Sequence, residues 1–157
     1  SEYAGKAAII FKIGKFVSWQ EHAFDNESEP LSVCLPKNDP MSEAMSALSG
    51  KVVHGRVLSV RHLDLVSAPL AGCQVLFLSK PAGDARFMLL ESLAERPVLT
   101  VSDDTRFARH GGIITLEIKQ NRVQFAINVD ASNNAGLNIS AQLLQLAKIT
   151  GSGNTSR

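Results

Sequence analysis

Cys73, Gln74, Val75, Leu76, Phe77 and Leu78 form a run in which only Gln74 is polar. A strand points successive side chains to opposite faces, so this run is apolar on both and must be covered on both. It therefore belongs in the middle of a sheet flanked by helices on either side. The rest of the chain has to supply those helices and the neighbouring strands.

It does so in alternation. Leu31 to Leu35 reads as a strand stopped by Pro36, and Pro40 to Leu48 as a short helix with Asp39 as N-cap and Pro40 at its first position, ended by Gly50. Val57 to Leu63 is a second strand and Cys73 to Leu78 the third. Ala85 to Glu95 sets Phe87, Leu90 and Ala94 beside Leu89 and Leu93, the stripe of a helix, and Pro97 opens a strand over Val98 to Ser102. Asp103 and Asp104 then start a short helix through Arg109, closed by Gly111 and Gly112.

Beyond Gly112 the period drops to two. Ile114, Leu116 and Ile118 alternate with Thr115 and Glu117, while Val123, Phe125, Ile127 and Val129 alternate with Gln124, Ala126 and Asn128, so each strand has one wet face. Lys119, Gln120 and Asn121 join them as a tight antiparallel hairpin. Ser140 caps a last helix over Ala141 to Ile149, and the chain opens with a helix over Tyr3 to Trp19 whose apolar face is unusually wide. The expectation is an α/β fold of three layers: a mainly parallel sheet with a C-terminal antiparallel hairpin and helices on both faces.

With 157 residues, 45% hydrophobic and 20% charged, the chain predicts one globular domain over residues 1–150, followed by a small, polar, disordered tail over 151–157. Sixteen basic residues against fifteen acidic ones give a net charge of +1, which offers no bulk attraction to nucleic acid or a membrane surface. Apolar runs fall far short of the roughly 20 residues needed to cross a bilayer, so no direct membrane insertion is expected. The start at Ser1, without Met or a basic and apolar leader, fits either a processed export substrate or a trimmed chain.

No cofactor motif is present. A phosphate-cradling loop needs glycines between a strand and a helix, followed by Lys and Ser or Thr, and the sole Gly-x-Gly, Gly151 to Gly153, lies in the polar tail. Gly-x-Ser-x-Gly is absent too. The best polar cluster is Asp103 and Asp104 with Arg106, Arg109 and His110, at the end of a strand where open α/β sheets place their sites. A phosphoacceptor site would also want a carboxylate after the third strand, where Ser79 and Lys80 stand. Asp103 or Asp104 therefore reads either as a helix cap, with the Arg side chains near the helix C-terminus, or, together with Arg106, Arg109 and His110, as a small anionic-ligand or partner site.

His54 and His62 would share a strand face, yet Gly55 intervenes and a third ligand is missing, so no metal site is expected. Phe16 and Trp19 at helical spacing read as core edge or as a dimer or partner surface. Cys34 and Cys73, the only cysteines, fit one bridge worth about 3 to 5 kcal/mol. They also fit two buried thiols, because Cys34 is late in its strand and Cys73 early in its own, a difference in height that can exceed the roughly 7 Å limit between Cα atoms.

Six segments in order resemble the YfiR family of bacterial periplasmic proteins. They are Glu2, Tyr3, Lys6, Ala7 and Ala8 leading to Phe16 and Trp19; Leu31 to Leu35 with Cys34; Gly50 to Arg56; Cys73 to Phe77; Pro97 to Asp103 with Phe107, Gly111 and Gly112; and Phe125, Ile127 and Asn128 followed by Ala135, Gly136, Leu137, Ile139, Ser140, Leu143, Leu144, Leu146 and Ala147. The resemblance implies a non-enzymatic periplasmic inhibitor, its signal peptide removed, that binds the periplasmic sensor region of an inner-membrane diguanylate cyclase. It would thereby lower cyclic di-GMP and biofilm formation. Release implies an outer-membrane lipoprotein that sequesters the inhibitor, or reduction of its disulfides. Cys34 and Cys73 match the family's strand pair, whereas a second cysteine pair found in some members has no counterpart here. The resemblance further implies a homodimer and no cofactor. The rival expectation is a periplasmic small-ligand sensor signalling to a histidine kinase or cyclase, and a third is a hydrolase built on Asp103 or Asp104.

Overall fold

The computed structural model describes residues 1–65, 70, 72–80 and 83–150. The predicted tail, with Gly151 to Gly153, lies outside them. In chain order the elements are α1 (Glu2–Lys15), β1 (Val17–Ser18), β2 (Leu31–Pro36), α2 (Ser42–Ser46), β3 (Val52–Val53), β4 (Arg56–Leu63), β5 (Val75–Phe77), α3 (Ala85–Leu93) and β6 (Leu99–Ser102). There follow β7 (Ile114–Lys119), β8 (Arg122–Asn128), α4 (Val129–Asn134), β9 (Asn138–Ile139), α5 (Ala141–Leu146) and β10 (Lys148–Thr150). Single 3-10 turns cover Glu21–Ala23 and Ala108–His110.

β5 is central, as its apolar run requires. The main sheet has the order β10-β8-β7-β6-β5-β2-β4-β3, with β4, β2, β5, β6 and β7 mutually parallel and antiparallel pairs β7–β8 and β3–β4. Along β5 the two faces separate cleanly. Val75 and Phe77 join Ala7, Ile10 and Ile13 of α1, Met45 of α2 and Leu143 of α5 in one core. Leu76 and Leu78 join Leu90 and Leu93 of α3, together with Cys34, Cys73 and Phe107, in a second. Helices on both faces of a mainly parallel sheet are thus what the chain builds. A small antiparallel pair, β1 with β9, stands apart from the main sheet.

The differences from expectation are local. The first helix stops at Lys15 rather than Trp19, because Phe16 caps it with φ −106° and Val17 leaves to pair with Ile139. Asp39 is not an N-cap: α2 begins only at Ser42, and the Asp39 carboxylate instead accepts from the Met41 N–H at 2.8 Å and from the Ser79 hydroxyl. The helix expected from Asp103 contracts to turns and the 3-10 turn, closed by Gly111 at φ +93°. Val129 opens α4 rather than ending a strand, since Asn128 caps that helix through its side chain to the Ala131 N–H. The last helix ends at Leu146 rather than Ile149, and Lys148 and Ile149, expected at its end, enter the edge strand β10 alongside β8. The β7–β8 hairpin turns on Gln120 and Asn121, both at positive φ, the geometry of a type I′ turn.

Candidate functional site

Read in chain order, the parallel strands run 2-1-3-4-5, so the crossover direction reverses between β2 and β5. In open α/β sheets that reversal opens a crevice at the carboxyl ends of the strands. Asp39 follows β2, Ser79 follows β5, and Asp103 follows β6. The loops here pack their polar groups against one another, with the Ser79 hydroxyl on the Asp39 carboxylate, both residues buried.

Two cations enter this edge from helices on opposite faces. Lys6 of α1, only 4% exposed, reaches Asp103 at 3.1 Å and Glu2, one turn earlier, at 2.7 Å. Burial works against its charge, but hydrogen bonds to Glu2 and Asp103 outweigh that penalty and raise the ammonium pKa. The other Asp103 oxygen accepts from the Lys80 N–H at 2.8 Å. From α3, Arg86 is ion-paired with Asp104 and donates to the carbonyls of Gly83 and Lys80. Burial, reinforced by the nearby Arg106 guanidinium, pushes the Arg86 pKa down against the pull of Asp84 and Asp103.

The predicted cluster is therefore divided rather than convergent. Asp103 faces Lys6 on one side of the sheet edge. Arg106 wraps back onto Asp104, donating from its backbone N–H and guanidinium at 2.9 to 3.2 Å, and reaches Asp84 at 3.5 Å. His110 stacks on Phe87, ring centroids 3.9 Å apart, and the guanidinium carbons of Arg86 and Arg106 lie 4.4 and 5.2 Å from the same Phe87 ring. Arg109 is exposed. Neither aspartate caps a helix, and both carboxylates are held by cations. Lys6, Arg86 and Phe87, none of them a site candidate in the sequence, complete the cluster. A helical Lys on an otherwise apolar face was the available signal for the first.

Phe16 and Trp19 pack against the core on the side of α1. Trp19 donates its indole N–H to the Gln74 carbonyl at 3.1 Å, and its ring meets His54 edge-on at 6.4 Å. Gln74 is 1% exposed and uses both ends of its amide, accepting from Ser32 N–H at 2.7 Å and donating to Ala23 C=O at 2.8 Å. His54 and His62 go to separate tasks. His54 sits in the β3–β4 turn with Nε2 near the carbonyls of Gly14 and Val17, and His62 meets the Ser46 hydroxyl.

Cys34 and Cys73 form a disulfide, with Cα atoms 6.0 Å apart. The expected offset is real in register, because Cys34 lies opposite Leu76. Cys73 escapes it by preceding the strand: Gly72, at φ +88°, and a turn closed from Cys73 N–H to Leu70 C=O bring it alongside β2.

An open groove of about 390 Å³ runs between the amino end of α1 and the length of α2, with Tyr3, Ala4, Pro40, Glu43 and Ala47 in its walls. Among the described residues, no helix is long and apolar enough to cross a membrane.

A family model described as YfiR/HmsC-like matches residues 3–148. Members of that family are in general periplasmic regulators of cyclic di-GMP signalling, a regulatory rather than a catalytic group. The match spans α1, both cysteines of the disulfide and the whole sheet as far as the start of β10, and on it the chain belongs to the YfiR/HmsC-like family.

Proposed function

We propose that the protein is a non-enzymatic periplasmic regulator that binds the periplasmic sensor region of an inner-membrane diguanylate cyclase and represses cyclic di-GMP synthesis. The observation that carries this reading is the family match over residues 3–148. The carboxyl-edge cluster agrees with it. Asp103 and Asp104 are engaged by Lys6, Arg86 and Arg106, an arrangement suited to fixing a surface rather than to proton transfer. Exposed Arg109 and His110, with Arg106, are the groups this edge offers a partner. Repression is then differential binding: the inhibitor holds the cyclase in the state for which it has greater affinity. An outer-membrane lipoprotein that sequesters the inhibitor supplies the release step, and the working unit is a homodimer, for which Phe16 and Trp19 lie at the candidate surface.

Calorimetry of the purified chain against the periplasmic domain of a cyclase encoded beside it tests the reading. Binding at micromolar concentration or tighter is expected, and its absence overturns the cyclase assignment. Light scattering that returns a monomer at high concentration overturns the homodimer.

One alternative is a small-ligand sensor signalling to a histidine kinase or cyclase, for which the open groove between α1 and α2 is the candidate site. A thermal-shift series against nucleotides and aromatic amino acids separates the two. A true ligand stabilises by mass action, whereas a pure docking module gives no shift.

A further inference from the structure

The charges of the chain are unevenly placed. From Tyr3 to Trp19 there are three lysines and no carboxylate, and from Gly50 to Leu63 there are Lys51, Arg56 and Arg61, again without a carboxylate. Lys6 is buried in its ion pairs, but Lys12, Lys15 and Lys51 are exposed. The fold brings the last two to one aromatic ring: the ammonium groups of Lys15 and Lys51 lie 4.5 and 5.6 Å from the centre of the half-buried Phe11. Among the described residues, none of the three lysines makes an ion pair within the chain. Ala4 and Ala8 are also exposed on α1, so the approach to the ring along the helix is low.

Lys12 and Lys15 complement the carboxyl end of the α1 dipole, which accounts for two of the cations. It does not account for Lys51, which arrives from the loop before β3 and adds a like charge at the same ring. Cations left without carboxylates around a partly exposed apolar centre complement an acidic surface that carries an apolar side chain, and such complementarity governs docking rate and partner choice. We propose that the face formed by Phe11, Lys12, Lys15 and Lys51 docks an acidic segment of a protein partner. The inference stands whether or not that partner is a cyclase.

The test uses the full chain and a labelled peptide of alternating glutamate and leucine, with a lysine–leucine peptide and phosphatidylglycerol vesicles as comparisons. Fluorescence anisotropy at low salt should show binding of the acidic peptide that weakens as salt rises. Charge reversal at all three lysines, K12E with K15E and K51E, should weaken it by about tenfold or more. Reversal of Lys119, at the end of β7 where it pairs with Glu117, and of Lys148 on the edge strand β10, both exposed and far from β3 in the strand order, should change it by less than about threefold. Circular dichroism confirms the fold of each variant. The proposal is overturned by failure to bind the acidic peptide, by equal losses in the two sets of variants, or by binding to vesicles without binding to the peptide.

Discussion

Arg86 of α3 and Asp104, two residues beyond β6, form an ion pair in which the side chains are 1% and 2% exposed. It fastens the helix that covers one face of the sheet to the strand ends where the candidate site lies. Removing one partner of such a pair leaves the other buried and uncompensated. Asp104→Ala is therefore expected to lose about 3 to 5 kcal/mol of stability in urea titrations. Because the guanidinium bears the charge left behind, adding Arg86→Met to that variant should recover part of the loss. A double variant no more stable than Asp104→Ala alone contradicts the assignment.

The Cys34–Cys73 bridge crosses from β2 to the residue entering β5 and closes a loop that contains α2, β3 and β4. For a loop of this length the chain-entropy relation gives about 4 kcal/mol. Replacing both cysteines by alanine should lower the unfolding free energy by about that amount, and a reducing agent should do the same to the wild-type protein without affecting the variant.

Lys6 supplies a pH dependence whose sign is fixed by its partners. Its folded pKa is raised above the ordinary value of 10.5, so the stability it contributes is complete below that value and disappears as pH rises through the folded pKa. Denaturant midpoints measured from pH 8 to 12 should fall more steeply for wild type than for Lys6→Met. Parallel curves would show that Lys6 does not act in this way.

Gly112 is required by space, not by its backbone angles. A methyl group there would overlap the ring of Phe107, which is fully buried in the core beneath α3. Gly112→Ala should cost about 1 to 3 kcal/mol, read as a lowered melting temperature. Gly111→Ala, by contrast, acts through the positive φ of its position rather than through a clash.

The central strand and the antiparallel hairpin are legible in the sequence because apolar periodicity reports burial directly, whereas the strand order is not. Cys73 to Leu78 announced a central strand, and the alternation through Ile114 and Phe125 announced the hairpin. Short strands outside an apolar run are not legible. β1, β3, β9 and β10 have two or three residues each, too few for any period, and their pairing is decided by what the fold brings alongside them. Trp19 looked helical because its spacing from Phe16 fits a turn of helix, but Val17 gains a sheet partner in Ile139 that no local propensity specifies. The site was half visible: Asp103, Arg106 and His110 stood out as polar residues after a strand. Their partners Lys6, Arg86 and Phe87 belong to helices distant in sequence, and only the fold shows that they meet.

The Lys6–Asp103 contact spans 97 residues of chain. The first helix to emerge thus cannot find its polar anchor until β6 has been laid beside β5, after most of the sheet-forming sequence is present. Until then α1 carries a lysine on its apolar face with no distant carboxylate to meet. The amino-terminal helix is thereby tied to a strand end laid down much later in the chain, a long-range contact of the kind that raises contact order and slows folding in such topologies.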